Sequence, residues 1–357
     1  MACWIVRQKP CECWSSVAQG EFELIRRYFG TPELNFAHDD VLLGPGDDAA
    51  IVSLPVGFQM VMSIDTLNES IHFPTQADPF LLAQRCLLVN LSDLAAMGAQ
   101  PVAFTLAISL PAPDAHWLAA FSHGLAVVAQ AHHCPLIGGD TTRGPLSITI
   151  QVHGKVPAGQ ALLRSGAAVG DAIYVTGDLG DAAAALWWIL GDARLNDAAL
   201  DASARQVLQQ AFYQPDARID AGIALRGLAS AALDISDGLA SDLQHVLDTS
   251  AFKRFGSTQG LGALIKSEDI PLSDTFQRCV PLREQLALAL SGGDDYELCV
   301  CVPPAQEAAA RSAMQALGLR FTRIGHIDDG VGIRLQTSLG EQHPLSLKGY
   351  NHFSESL

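Results

Sequence analysis

Aspartates recur in this chain where apolar runs begin or stop. Asp47 and Asp48 precede "AAIVSL", Asp65 ends "MVMSID", Asp140 follows "PLIGG", and Asp234 and Asp237 bracket the end of "ALDIS". Asp93 differs, lying inside a helical run among Leu87, Leu88, Val89, Leu91, Leu94 and Met97, which predicts a buried carboxylate. A buried carboxylate requires a cation, and the base nearest to it in sequence is Arg85. One acid at a strand end is ordinary turn chemistry. So many, most of them beside Gly, Ser or Thr, point instead to shared work. Oxygen ligands without His or Cys clusters suit magnesium rather than zinc or iron. Magnesium on carboxylates, with waters retained, is what phosphoryl-transfer sites use. The usual nucleotide loops are missing: there is no G-x-x-x-x-G-K-[ST], no H-R-D and no D-F-G. "TGDLGDAAAAL" matches a phosphate loop only weakly. An ATP site here must use carboxylate-bound metal where a P-loop uses backbone and lysine.

These acids need elements to hold them. The 357 residues exceed what one core usually serves, and 49% apolar with 17% charged residues describes a globular chain. Acids outnumber bases 38 to 22, giving a net charge of −16, which excludes a nucleic-acid surface built on clustered Lys and Arg. The 8 cysteines include C-x-C pairs but no C-x-x-C, and free thiols in such a chain imply a reducing compartment. No run is long enough to span a membrane, and the first residues lack a signal peptide's apolar centre, so a cytoplasmic protein is expected. Residues 1–19 read as an extension. "GEFELIRRYF" predicts an amphipathic helix, and "AAIVSL" and "QMVMSID" predict strands. A helix follows from Asp78 as N-cap, with Pro79 at its first position and Gly98 and Pro101 closing it. "VAFTLAISL" is a strand, "DAHWLAAFSHGLAVVAQAHH" a helix and "SITIQVHGKV" a strand. A Gly- and Ala-rich connection over 157–171 predicts a domain boundary. Beyond it come the strand "AIYVTG", Ala-rich helices, and a strand, turn and helix in "SAALDISDGLASDLQHVL". "SGGDDYELCVCV" repeats the turn-into-strand arrangement, with both cysteines on one face. Residues 191–206 and 250–262 read as exposed loops or irregular helix. Sheet and helix mix in both halves, which favours α/β and α+β domains.

"GPGDDAAIV", "SIDTLNESIHF", "VNLSDLAAMGAQP", "LIGGDTTRGPLSITIQVHG", "LDISDGLASDL", "SGGDDYEL" and "KGYNHF" together resemble the thiamine-monophosphate kinases, over about residues 20–353. "NLSDLAAMGAQP" and "GGDT" are similar to the wider aminoimidazole-ribonucleotide synthetase-like superfamily of ATP users. The resemblance implies a two-domain fold: an N-terminal α/β domain (20–157) that binds ATP and metal and dimerises, and a C-terminal α+β domain (158–357). It implies direct in-line transfer of the ATP γ-phosphoryl group to thiamine monophosphate by a homodimer, with several Mg2+ ions neutralising two phosphates. It implies metal ligands at Asp48, Ser63, Asp65, Asp93, Asp140, Asp234 and Asp237, with Asp93 and Asp237 catalytic. ATP ligands are implied at Gly139, Asp140, Arg164 and Ser236, and acceptor ligands at His72, Asp294 and Tyr350. Two positions depart from the family: Ile64 stands where Ser or Thr is usual and offers a metal only its carbonyl, and Asp294 replaces Glu. On this reading "GDD" can enter a core because Asp48, supported by Asp47, meets metal there.

Two other superfamily enzymes compete. Selenophosphate synthetase needs a reactive Cys or selenocysteine with a glycine-rich Lys loop, and the hydrogenase-maturation dehydratase needs a C-terminal Cys, whereas this chain ends "FSESL". A rival of another class is a catalytically silent nucleotide-binding regulator that kept the fold, which the intact acids oppose.

Overall fold

The computed structural model describes residues 21–345; the extension over 1–19 and Tyr350 lie outside the described residues. The helix expected over "GEFELIRRYF" starts as α1 (Glu21–Leu24) and widens into a π-helical turn (Ile25–Phe29), where Gly30 N–H reaches back five residues to Ile25 O at 2.8 Å. β1 (Val41–Leu43) and β2 (Ile51–Val52) pair antiparallel around an exposed loop over residues 44–50.

β3 (Phe58–Asn68), β4 (Gln100–Leu110), β5 (Leu136–Arg143) and β6 (Ser147–Pro157) form a four-stranded sheet in the order β3-β6-β4-β5, with β4 and β5 parallel. α2 (Pro79–Ala96) and α3 (Ala115–Ala131) pack against one face. The stop and start signals of α2 act as expected. Asp78 accepts Phe80 N–H and Leu81 N–H at 2.8 and 3.1 Å, Pro79 opens the first turn, and Gly98 leaves the helix at φ +61°. Alternation along β3 sends Ser63 and Asp65 towards α2, while Met62 and Ile64 face outward, 60% and 58% exposed. Two strands run further than their sequence signals. β3 continues past Asp65 to Asn68, and β5 contains Asp140 rather than ending before it, because pairing with β6 and β4 carries the ladders on.

No helix or strand occupies residues 158–171. Beyond them β7 (Ala172–Thr176), β8 (Ala231–Asp234), β9 (Gly262–Lys266), β10 (Leu298–Val302), β11 (Phe321–Asp328), β12 (Gly332–Gln336) and β13 (Gln342–Pro344) build a seven-stranded sheet. Its order is β13-β12-β9-β11-β7-β10-β8, antiparallel except for β12 against β9. Around it lie α4 (Asp181–Ile189), α5 (Ala202–Tyr213), α6 (Ile219–Ala224), α7 (Leu239–Phe255), α8 (Asp274–Cys279), α9 (Leu282–Ser291) and α10 (Glu307–Ala316). Helix replaces two segments read as irregular: α5 already begins at Ala202, and α7 runs through residues 250–255. Asp201 caps the first through Ala204 N–H at 2.8 Å, and buried Val246, Leu247 and Ala251 anchor the second.

β10 shows how the two cores divide. Leu298, Val300 and Val302 join α2, α3 and the four-stranded sheet in one apolar cluster, while Cys299 and Cys301 point into a second under α5 and α7. The first cluster draws on both halves of the chain, and α2 is its spine. At that seam α6 touches α2 so closely that a Cβ on Gly222 would lie 2.0 Å from Ala95 O. Cys86, Cys134, Cys279, Cys299 and Cys301 are buried and free. Among the described residues no helix is long and apolar enough to cross a membrane.

Candidate active site

α2 gathers the site. Ser63 Oγ on β3 donates to Asp93 Oδ2 at 2.5 Å, and Asp65 N–H donates to Asn90 Oδ1 at 3.0 Å. On the other side Ser92 Oγ donates to Asp234 Oδ2, at the end of β8, at 2.8 Å. Two residues of one helix, Asn90 through the Asp65 backbone and Ser92 through the Asp234 carboxylate, thus fasten an aspartate from each sheet beside Asp93. Asn90 and Ser92 are fully buried, and Asn90 Nδ2 is further held by Cys86 O at 2.8 Å. Asp93 itself is half-buried rather than enclosed, on a helix otherwise almost wholly covered. Its nearest cationic influence is also not Arg85 but Arg164, an exposed residue of the 158–171 connection. That connection is pinned to α7, where Gly166 and Ala167 N–H donate to Ser250 Oγ at 3.0 and 3.1 Å.

Like charges brought together in a partly dry place hold their protons. Burial, with Asp93 nearby, pushes the Asp65 carboxyl up to about 6. Burial first and Asp93 second push Asp234 up to about 7, against the Ser92 hydrogen bond and Arg164. Burial also raises Asp93, opposed by Ser63 and Arg164. Such a set is poised for a cation. The donors are hard oxygens, carboxylates with one hydroxyl, which fits Mg2+. Among the described residues no three His, Cys, Asp or Glu side chains already converge tightly enough to cage an ion by themselves. Magnesium tolerates that, since it keeps waters and takes phosphate oxygens as further ligands.

The "SDG" and "GGDDYEL" turns dock directly on each other. Asp294 N–H donates to Ser236 O and Tyr296 N–H to Ile235 O, both at 2.8 Å, so residues implied for ATP and for acceptor are adjacent. Asp242, one turn into α7, accepts the N–H groups of Ser236 and Asp237, each at 3.0 Å, and shapes the first of these turns. Burial pushes its carboxyl to about 7. Asp237 is half-buried beside it and Ser236 exposed. The Asp294 carboxylate is already engaged, by Arg85 at 2.6 Å.

Other expected ligands stand apart. Asp47 and Asp48 do not enter a core: both are exposed in the β1–β2 loop, where Asp48 N–H donates to Asp47 Oδ1 at 2.8 Å. The turn chemistry of Gly-Asp-Asp prevails there. Asp140 is exposed on β5, and among the described residues no hydrogen bond or ion pair joins its side chain to the acids around Asp93. Its backbone is nevertheless fixed, because a Cβ on Gly139 would sit 1.9 Å from Leu106 O and only glycine permits that approach. The Ile64 side chain lies on the far face of β3. His72 Nδ1 accepts Asn68 N–H at 2.9 Å, leaving the proton of the neutral ring on Nε2.

Sequence reasoning missed Asn90, Ser92, Asp242 and the true partner of Arg85. Asn90 lies three residues before Asp93 and so shares its helix face, a readable signal. The Ser92–Asp234 contact spans 142 positions and left none.

Comparison with known proteins adds to this geometry. Residues 46–156 match the family model for AIR synthase related protein, N-terminal domain, and residues 168–338 match that for AIR synthase related protein, C-terminal domain. The chain is 43% identical over 339 residues to the thiamine-monophosphate kinase of Salmonella typhimurium, spanning 95% of this chain and 99% of that one. The crystal structure of thiamine-monophosphate kinase from Stenotrophomonas maltophilia K279a is similar with a TM-score of 0.76 at 42% identity, covering 83% of this chain and 91% of that one. AaThiL complexed with AMPPCP and TMP is similar with a TM-score of 0.69 at 25% identity, covering 93% and 96%.

Proposed function

This chain belongs to the thiamine-monophosphate kinases of the AIR synthase related family, and from that premise we propose how its cleft works. The enzyme transfers the γ-phosphoryl group of ATP to thiamine monophosphate, giving thiamine diphosphate and ADP. The observation that carries the site assignment is the convergence of Asp65 and Asp234, from two different sheets, on α2 beside Asp93.

Two phosphates carry charge to the reacting centre, so the chain's main task is to neutralise and align them. Asp65, Asp93, Asp234 and Asp237, with Ser63 and the Ile64 carbonyl, would hold Mg2+, joined by Asp48 from the 44–50 loop and Asp140 from β5. When bound, magnesium supplies the positive charge that offsets the phosphate oxygens. Arg164, whose charge acts on Asp93 and Asp234 from the 158–171 connection, would bind a phosphate oxygen, with Gly139, Asp140 and Ser236 completing the nucleotide side. Asp294, His72 and Tyr350 serve the acceptor side. Among the described residues, the hydrogen bonds around Asp93 contain no Ser–His or Cys–His pair, which supports direct in-line transfer without a phospho-enzyme.

The N-terminal domain ends near residue 157. The enzyme acts as a homodimer through the outer face of β3, where Phe58, Met60, Met62 and Ile64 form an exposed apolar row. Free buried thiols suit a reducing cytoplasm. The test is direct: the full chain with ATP, Mg2+ and thiamine monophosphate, followed by 31P NMR. Thiamine diphosphate and ADP in equal amounts are expected; ADP with only inorganic phosphate would overturn the acceptor assignment.

A further inference from the structure

Arg85 lies on the same helix as Asn90, Ser92 and Asp93 but points the other way, into the second half of the chain. Its side chain is only 3% exposed. A buried guanidinium persists only with strong partners, and here both terminal nitrogens have one, while Nε is buried without a hydrogen bond among the described residues. Nη1 donates to Phe212 O, in the last turn of α5, at 2.6 Å, which occupies a carbonyl the helix leaves open. Nη2 donates to Asp294 Oδ1, also at 2.6 Å. The plane rests over the Phe212 ring, 4.0 Å from its centroid, so the arginine fills its chamber.

The turn it grips is unusual. Asp294 and Tyr296 both adopt left-handed backbone conformations, with φ +63° and +51°, although neither is glycine. Such conformations persist where the surroundings over-determine them, and they cluster at ligand sites. Here the backbone bonds to Ser236 O and Ile235 O fix the turn from one side, and Arg85 fixes it from the other. Tyr296 Oη also donates to Asp294, at 3.3 Å, and to the same oxygen as Arg85. Both side-chain donors therefore fall on Oδ1. Asp294 is still 26% exposed, and Oδ2 is the oxygen left for a ligand's N–H.

We propose that Arg85 is a positioning residue for the acceptor: by holding Oδ1 it orients Oδ2 of Asp294 towards the amino group or ring N–H of a cationic heteroaromatic acceptor. This rests on the reading of Asp294 as an acceptor ligand. It makes α2 the element that sets both ends of the reaction, the phosphoryl end through Asp93 and the acceptor end through Arg85. It also bears on the Asp at position 294. The carboxylate need not reach far, because a long, planar cation comes to meet it and fixes its angle.

The test varies each substrate in turn on the full chain. Lys is one atom shorter than Arg, cannot serve Phe212 O and Asp294 together, and lacks the fork that sets the carboxylate angle. Arg85→Lys should raise KM for thiamine monophosphate about tenfold, with kcat and the ATP KM changed less than about twofold. Glu is one atom longer than Asp, so adding Asp294→Glu to Arg85→Lys restores the span and should recover most of the acceptor KM. Equal losses in kcat and in both KM values, or no rescue by Asp294→Glu, would show that Arg85 only supports the fold. If Arg85→Lys does not fold, Asp294→Asn decides. It keeps an oxygen for Arg85 and turns the other into NH2, so it should raise the acceptor KM with the ATP KM changed less than about twofold, and an unchanged acceptor KM overturns the proposal. Native enzyme that forms no thiamine diphosphate would instead refute the acceptor reading itself, before any variant is made.

Discussion

Asp93 is the residue on which most of the site turns, since it touches Ser63 and acts electrostatically on Asp65 and Asp234. Asp93→Asn keeps an oxygen for the Ser63 hydroxyl but removes the charge. It should lower kcat by at least about 100-fold, the scale on which transition-state electrostatics is lost. Without metal it should melt no lower than the native protein, because a repelling charge has gone; a melting point well below native would make Asp93 a structural acid. The raised carboxyls give a second expectation. For Asp65 and Asp234 the folded value lies above the unfolded one, about 3.9, so their contribution to stability is complete below it and lost as pH rises through about 6 and 7. Metal-free protein should therefore melt higher near pH 5 than near pH 8, by roughly a few degrees. Mg2+ should raise the melting temperature far more at the higher pH, and an equal effect at both would separate these acids from the metal. Residue types were readable in the sequence, since Asp93 and Asp234 stand out as acids in apolar company. Their hydrogen-bond partners were not, because Asn90 and Ser92 look like filler until the two sheets are placed around α2.

At the scale of elements, α2 was the most legible part of the chain, with N-cap, proline, apolar run and closing glycine all written locally. Its division of labour was not. The run carries too little polar contrast to say which face meets which sheet, and in the fold nearly all of it is covered. Strand ends were less legible for a related reason: pairing partners set them, so β3 and β5 outrun the local signals at Asp65 and Asp140. The Asp47–Asp48 loop shows the opposite case, where local turn chemistry decided and the expected core entry did not form. The tightest contact of α2 is with α6, at Gly222. Gly222→Ala places a methyl against Ala95 O and should destabilise by about 1–3 kcal/mol, the usual scale of overpacking. Because Ala95 lies two residues from Asp93, kcat should fall as well. A calorimetric scan with a parallel assay checks both, and a fall in stability with full activity would mean that α6 yields without moving the acids.

For the whole molecule, the sequence conveyed two halves that each mix sheet and helix, but not that one apolar cluster runs through both. That cluster joins Leu87 and Phe121 to Tyr174 and Val300 over long sequence separations, which leave no periodic trace. The outer face of β3 makes the remaining prediction at this scale. Phe58, Met60, Met62 and Ile64 are exposed along an edge strand, an arrangement that single chains avoid. Met62→Glu should convert a dimer to a monomer in sedimentation or light scattering while leaving the melting curve of the isolated chain cooperative. A native protein that is already monomeric at micromolar concentration would refute this use of the face.

With Ala95 O pressed against Gly222 and Met97 O bonded to Leu162 N–H at 3.1 Å, the halves are joined by direct packing as well as by the chain. Opening the molecule like a jaw would tear a shared apolar layer, a motion of the slow, collective kind. The 292–296 turn belongs to that joined frame, since Ser236 O, Ile235 O and Arg85 all hold it, so the site is set before any substrate arrives.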